Sequence, residues 1–482
     1  MTLKYPLMAI YTMVIISCFF RCTCSKDHPS YEPIRSNEFV NDNSASVRYK
    51  ADEILVLYKG IPTQEKRNTI RLKLHDAGID TSSINVRVCN SCGAHVELWQ
   101  ARDIHTVIHG EEIRAGTVSG GSQGVGEDNT AIYSLNYYQH IPNDDLPTIR
   151  QFKFGQQPEP DPTGKDTIIV AVLDTGIDTL QAVAPEFVWR NNKEKGSNIP
   201  DADGNCYEND VYGWNFVNNS PDIRDDNPTR HGSIISRYIV REFAASTKNF
   251  VQIMTLKTHD NNGSGDLFAS ICALHYAMDK GAHIVNASWG FYYYLPDPHP
   301  YLDSLITRAL ADRGILFVTA SGNKIDAIDA AAKAKYQTQH GVALPDSLLR
   351  NLSIHNFFPA CLSDSVNNVI VATTSSTDRV TATQNYFRRY VDFGVMADSI
   401  EAPYMRFLVP NTSPPIYVSG SSFATAILSG KIGATLNKSV YGSPIGKEAV
   451  FAEMEAVPSP VQTSADLEDR KLVRKGRYVK RE

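Results

Sequence analysis

From Asp166 onward, short apolar runs alternate with longer stretches whose apolar residues recur every three to four positions. The runs Thr167–Leu173, Ala282–Val285, Ile315–Thr319 and Val369–Ala372 are bounded by polar residues and read as strands buried on both faces. Residues 233–243, 266–280, 301–313 and 423–436 carry the helical period. This alternation predicts an α/β fold, a largely parallel sheet with helices on both faces. Sites in such sheets form beyond the carboxyl ends of the strands, so the residues where the apolar runs stop are the ones to inspect.

The pattern before Asp166 differs. Residues 48–115 predict a small α+β unit: a strand-like run at Glu53–Tyr58, a charged helical stretch at Thr63–Ala77, and extended runs at Ile84–Val88 and His95–Gln100. Gly116–Gly126 is rich in Gly and Ser, and Gln156–Gly164 is rich in Pro, so residues 116–164 read as a linker. The α/β domain is expected over 165–440, followed by a tail over 441–482. Its last residues, Arg470–Glu482, are densely basic around Leu472, Val473, Tyr478 and Val479, as in a solvated edge strand or a frayed tail. At the other end, Lys4 precedes a mostly apolar stretch, Leu7–Phe20, too short to span a bilayer comfortably. Residues 1–24 read as a signal peptide or lipoprotein leader, since Ile15-Ile16-Ser17-Cys18 resembles a lipoprotein processing box whose acylated Cys would attach the protein to a membrane. The polar residues 25–47 are expected to be disordered.

Composition narrows the classes. Lys and Arg number 47 against 53 Asp and Glu, a net charge of −6, which gives no broad basic surface for nucleic acid. Of the 8 cysteines, Cys18, Cys22 and Cys24 lie in the leader, and the remaining odd number implies a free thiol. Cys272, at helical spacing with Leu267, Phe268, Ile271, Leu274 and Met278, is the expected one. Cys89-Asn-Ser-Cys92 with His95 is a weak zinc pattern, because no second close ligand pair follows. A disulfide or two free thiols accounts for it as well.

The strand ends carry the candidate chemistry. They read Asp174-Thr-Gly-Ile-Asp178, Asn286-Ala-Ser-Trp-Gly290 and Thr319-Ala-Ser-Gly-Asn323. Two further blocks open helices: Arg230-His231-Gly-Ser, and Val418-Ser-Gly-Ser-Ser422-Phe-Ala-Thr-Ala. Together, in this chain order, the blocks resemble those of the subtilisin-like serine peptidases, over about Asp166 to Leu436. The resemblance implies a secreted serine endopeptidase acting on protein or peptide substrates, with Ser422 as nucleophile, His231 as general base and Asp174 as orienting acid. Asn323 would be an oxyanion donor. Ser288, Trp289, Gly290 and Ala320, Ser321, Gly322 would flank the substrate cleft, with Trp289 narrowing it. The N-terminal unit would be a propeptide that blocks the cleft until the precursor cuts itself.

The residue types suit these roles. A serine hydroxyl needs a base, and an imidazole with an ordinary pKa near ~6.5 supplies one at neutral pH, so activity should fade below roughly pH 6. The first turn of a helix favours negative charge. Taken singly, Asp174, Asn323 and Ser422 are ordinary turn or cap residues and His231 an ordinary surface residue. Their co-occurrence in order is what argues otherwise. Ser233, Ile234, Ser421 and Ala426 depart from the family's usual residues without removing a catalytic group, and a catalytically silent binding protein on the same fold is the rival reading. Asp201, Asp203, Asn205 and Asp210 place oxygen ligands in one loop, as for Ca2+ or as an acidic solvated loop.

Overall fold

The computed structural model describes residues 49–481 except 90–94, 110–124, 142–151, 157–158, 179–180, 195, 197–198, 293–299, 365 and 457–458. The leader and the segment 25–47 lie outside the described residues, as do Cys92 and the greater part of Gly116–Gly126. Among the described residues no helix is long and apolar enough to cross a membrane.

The N-terminal part contains β1 (Tyr49–Tyr58), α1 (Gln64–Asp76), β2 (Asn85–Val88), β3 (Val96–Gln100), β4 (Val125–Glu127) and β5 (Ala131–His140). Thr63 caps α1 by accepting the Lys66 N–H, and the helix buries Ile70 and Leu74. Ile54, Leu55, Val56 and Leu57 of β1 are fully buried between β3 and β5, both antiparallel to it. Buried Glu97 is compensated by Tyr58 Oη (2.8 Å), Trp99 Nε1 (2.9 Å) and Arg67 (2.6 Å). Residues 116–164 are therefore not all linker, because β5 is a ten-residue strand of this sheet, paired with β1 and β4. Gly-rich and Pro-rich flanks masked it, although Ala131–His140 has the aromatic content of a strand.

The α/β part begins with β6 (Asp166–Asp174) and continues through β7 (Gly213–Asn215), α2 (His231–Phe243), β8 (Asn249–Lys257), β9 (Ser264–Asp266), α3 (Leu267–Asp279), β10 (Ile284–Ala287), β11 (Leu316–Ala320), α4 (Asp326–His340), β12 (Val369–Ser375), β13 (Phe393–Met396), α5 (Ser421–Thr435), α6 (Lys447–Glu455), β14 (Val461–Thr463) and β15 (Arg477–Val479). Nine strands form one sheet in the order β14-β15-β13-β12-β11-β10-β6-β8-β7. Every pairing is parallel except that of β14 with β15. Val170 and Val172 of β6 share a core with α2 and α5, while Ala171 and Leu173 are equally buried on the alternate side. Both faces are covered, as a parallel sheet requires. Small residues let α2 and α5 approach closely: a Cβ on Gly430 would lie 2.8 Å from Ile239 O, and one on Gly433 2.6 Å from the Phe243 ring. β8, β13 and α4 were not anticipated.

The end of the chain is not a tail. β15 adds to the sheet edge beside β13, and α6 buries Val450, Phe451 and Met454. Several of the basic residues are paired, among them Arg477 with Glu455 (2.5 Å) and Arg474 with buried Asp392 (2.9 Å). Lys447, itself fully buried, also meets Asp392 at 2.9 Å.

Cys272 is not a free thiol. It is disulfide-bonded to Cys89 across the two parts of the molecule, Cys206 is disulfide-bonded too, and Cys361 is free. Helical spacing reports that Cys272 is buried but not what buries it. Cys89 is therefore unavailable as a zinc ligand.

Candidate functional site

Asp174 ends β6, where the backbone N–H groups of Thr258 (2.9 Å) and His259 (3.2 Å) donate to its carbonyl. Its Oδ1 accepts from the Thr175 N–H (2.8 Å) and is 2.8 Å from His231 Nδ1. Asp174 is 1% exposed and His231 0%. A backbone N–H can only donate, so Oδ1 is fixed as an acceptor, and the ring proton it receives sits on Nδ1. His231 Nε2 is thereby left as the basic nitrogen, and it has no partner among the described residues. Two glycines allow this approach. Gly176 adopts φ 115°, and a Cβ on Gly232 would lie 2.3 Å from Gly176 O.

Ser422 stands in the first turn of α5, after Gly420 at φ 150°. Its Oγ donates to Ser288 O at 3.0 Å, and Ser288 Oγ donates back to Ser422 O at 3.0 Å. The hydroxyl is thus parked on the wall segment rather than bonded to His231. Asn323, beyond the end of β11, accepts through Oδ1 from the Ser421 N–H (2.9 Å) and Ser421 Oγ (2.8 Å). That pairing fixes the amide orientation and leaves Nδ2 buried without a partner among the described residues, 3.1 Å from where a Cβ on Gly420 would be. The four residues singled out by sequence therefore come from four separate elements.

Ser288, Trp289 and Gly290 follow β10, and Ala320, Ser321 and Gly322 end and follow β11. Trp289 is fully buried, its ring 6.3 Å from that of His259. Asn385 donates to Ser321 O (2.9 Å), and Ser421 Oγ accepts the Gly322 N–H (3.1 Å). β5 lies between β9 and Gly290. Tyr138, Gln139 and His140 pair antiparallel with Asp266, Gly265 and Ser264 of β9, His140 forms an antiparallel bridge to Gly290, and the Ile141 N–H donates to Gly263 O (3.0 Å). Gln139 is buried and accepts from Ser270 Oγ at 2.5 Å.

Two nearby titratable residues were not singled out from sequence. Asp225 accepts from Ser233 N (2.9 Å) and Oγ (2.7 Å) and from Thr175 Oγ1 (2.9 Å). Burial pushes its carboxyl up to about 6, with Asp174 adding to the rise and the hydrogen bonds opposing it. It bonds Ser233 through both backbone and hydroxyl, which accounts for a serine at that position. Burial lowers His259 to about 4, keeping it neutral.

The acidic loop is only partly as anticipated. Glu194, Asp203 and Asp210 bring carboxylate oxygens within 4.8 Å of one another. Asn205 donates to Asp210 (2.7 Å), whereas Asp201 caps the loop backbone at Asn205 (2.9 Å) and Cys206 (3.0 Å) and lies outside the group. Glu194 was missed because it precedes the Asp-rich run. Glu194 Oε2 and Asp203 Oδ1 are buried without partners among the described residues, and this all-oxygen donor set fits a hard cation. Lys280 supplies positive charge there, paired with Asp203 and 3.5 Å from Asp210.

Comparison with known proteins agrees with this layout. The model of the subtilase family matches residues 165–451, more than half of the chain. Subtilisin-like protease 1 of Plasmodium berghei is 27% identical over 213 residues, 43% of this chain and 32% of that protein. A thermophilic serine proteinase of Bacillus sp. strain AK1 is 28% identical over 198 residues, 39% of this chain and 41% of that protein. The matched region thus spans under half the length of either relative. Among solved structures, a mutant of the epidermin leader peptide processing serine protease from Staphylococcus aureus shares the fold at TM-score 0.51 and 15% identity, covering 89% of this chain and 97% of that one. With a largely parallel sheet, four motif-bearing strand and helix ends at one edge and a family match over residues 165–451, the chain belongs to the subtilase family.

Proposed function

We propose that this protein is a secreted serine endopeptidase that hydrolyses peptide bonds through an acyl-enzyme and is made as a self-processing precursor. The observation that carries the reading is a pair of buried polar atoms without partners among the described residues, His231 Nε2 and Asn323 Nδ2. Buried groups normally have partners, and a reacting substrate supplies both. Ser422 Oγ leaves Ser288 O by rotation about its Cα–Cβ bond, gives its proton to His231 Nε2 and attacks the peptide carbonyl carbon. Asn323 Nδ2 and the Ser422 N–H receive the oxyanion. His231 passes the proton to the leaving amine, and water then repeats the sequence on the acyl-enzyme, with Asp174 holding the imidazolium.

The precursor reading draws support from β5, which lies along β9 and Gly290 as an added strand, the mode in which an extended peptide is recognised. Secretion draws support from the Cys89–Cys272 disulfide, which suits an oxidising compartment. A structural Ca2+ held by Glu194, Asp203 and Asp210 belongs to the same reading. It would neutralise the loop's charge and take no part in the chemistry.

The second reading, a silent subtilase that only binds, is favoured by one observation: Ser422 Oγ bonds Ser288 O instead of His231. Expression of the full chain and of Ser422→Ala separates the two. Under the peptidase reading the parent is processed and hydrolyses casein while the variant does neither. Equal behaviour of both chains would sink it.

A further inference from the structure

Cys89 follows β2 in the N-terminal sheet, and Cys272 lies in the middle of α3 in the α/β domain, 183 residues further along the chain. Their Cα atoms are 5.5 Å apart, a separation that a disulfide spans without backbone movement. Both residues are buried, at 1% and 2% exposure. Around the bond the two parts grip each other. Arg87 donates to the carbonyl of Phe216 and stacks 5.3 Å from the Phe268 ring, Lys50 pairs with Asp266 at 2.6 Å, and Asn136 Oδ1 accepts the Phe268 N–H at 3.1 Å.

The peptide chain between β5 and β6 is one covalent route from the N-terminal domain to the α/β domain, and this disulfide is a second. We infer that the disulfide keeps the N-terminal domain attached after the chain between β5 and β6 is cut, so that reduction by a dithiol, rather than the cut, frees the cleft. The inference rests on the self-processing reading above. Its physical basis is local concentration. A tethered domain presents β5 to β9 and Gly290 at an effective concentration of order millimolar, so the strand rebinds faster than a peptide substrate competes.

The step balances as thiol–disulfide exchange. One thiolate of the dithiol attacks a sulfur of the Cys89–Cys272 bond, forming a mixed disulfide and releasing the other cysteine as a thiolate, which takes up a proton. The second thiol then displaces the remaining cysteine and closes a cyclic disulfide. Two electrons and two protons pass from the dithiol to Cys89 and Cys272. Burial of both sulfurs makes the exchange wait on loosening of the interface, so it should be slow.

The test separates the tether from catalysis. In the full Ser422→Ala chain, a recognition sequence for a site-specific endopeptidase is placed within residues 142–151 and cut. On denaturing gels without reductant the two pieces should run as one species, and with dithiothreitol as two. Separation without reductant would overturn the inference whether or not the parent enzyme is active. In the self-processed parent chain, dithiothreitol should raise peptide hydrolysis at least about tenfold. Because Cys206 is also disulfide-bonded, the matching variant is Cys89→Ser with Cys206→Ser, which should show the raised rate without reductant. A processed parent at full rate before reduction would overturn the regulatory part. Absence of any processing in the parent would count against the catalytic reading alone, since the engineered cut still reads the tether.

Discussion

The nine-stranded sheet supplies side chains at its strand ends, and the N-terminal sheet supplies a backbone edge. Asp174 and Asn323 stand at or beyond the ends of parallel strands, and His231 and Ser422 open the helices packed on that sheet. The N-terminal sheet contributes none of these four side chains. Instead its β5 runs along β9 and reaches Gly290, where its main chain makes the contacts. The difference teaches that chemistry-bearing positions leave a signature in residue identity, whereas a role exerted through backbone pairing leaves almost none.

The largest way to break this division is at Ser422. Ser422→Ala should lower peptide hydrolysis by at least about 10³-fold without changing the unfolding midpoint, as read by turnover of a casein substrate beside a urea titration. Removing the Asn323 amide with Asn323→Ala should cost about 10²–10³ in kcat with KM little changed. A loss confined to KM would mean that the amide binds substrate in its ground state. On the other sheet, Ile54→Ala should destabilise the uncut chain by about 2–4 kcal/mol in urea unfolding. A cost below about 0.5 kcal/mol would show that β1 is not the centre of a packed core.

Acid should weaken the α/β side specifically. Burial lowers His259, His275 and His283 to about 4 and His355 to about 3. A folded-state pKa below the unfolded one means stability that is complete above about pH 6.5 and is lost as pH falls toward 4, because the unfolded chain takes up protons that the folded one refuses. Asp225, raised to about 6, has the opposite sign: between pH 6 and about 4 the folded state binds a proton that the unfolded one does not. The histidines outnumber it, so stability should fall by about 1–4 kcal/mol per pH unit between pH 6 and 4. Urea midpoints across that range check the sign, and a midpoint that rises on acidification would refute it. The smallest effect is expected from EDTA, a fall in Tm of about 2–4 °C if Ca2+ is held by Glu194, Asp203 and Asp210. No change would leave the loop balanced by Lys280 alone.

Much of the α/β half was legible from the sequence. β6, β10, β11 and β12 read as buried apolar runs, and the helices at 231–243, 267–279 and 421–435 follow from their period. Sequence-local signals failed where a partner distant in the chain decides the outcome. Cys272 reads as buried in a helix, but only the packing of β2 against α3 identifies Cys89 as its neighbour. Glu194 joins Asp203 and Asp210 because the loop folds back, and Asp201 leaves the group because its carboxylate caps two backbone N–H groups. The basic terminus reads as solvated until Asp392 and Glu455 are seen to meet it.

The sequence by itself determined the fold class and the residues available for chemistry, because hydrophobic period and motif order are local properties of the chain. Tertiary structure alone decided which polar atoms lack partners among the described residues, where the Ser422 hydroxyl rests, that β5 lies along β9 and Gly290, and that Cys89 meets Cys272. Those outcomes depend on distances between residues far apart in the chain, which only the folded packing sets.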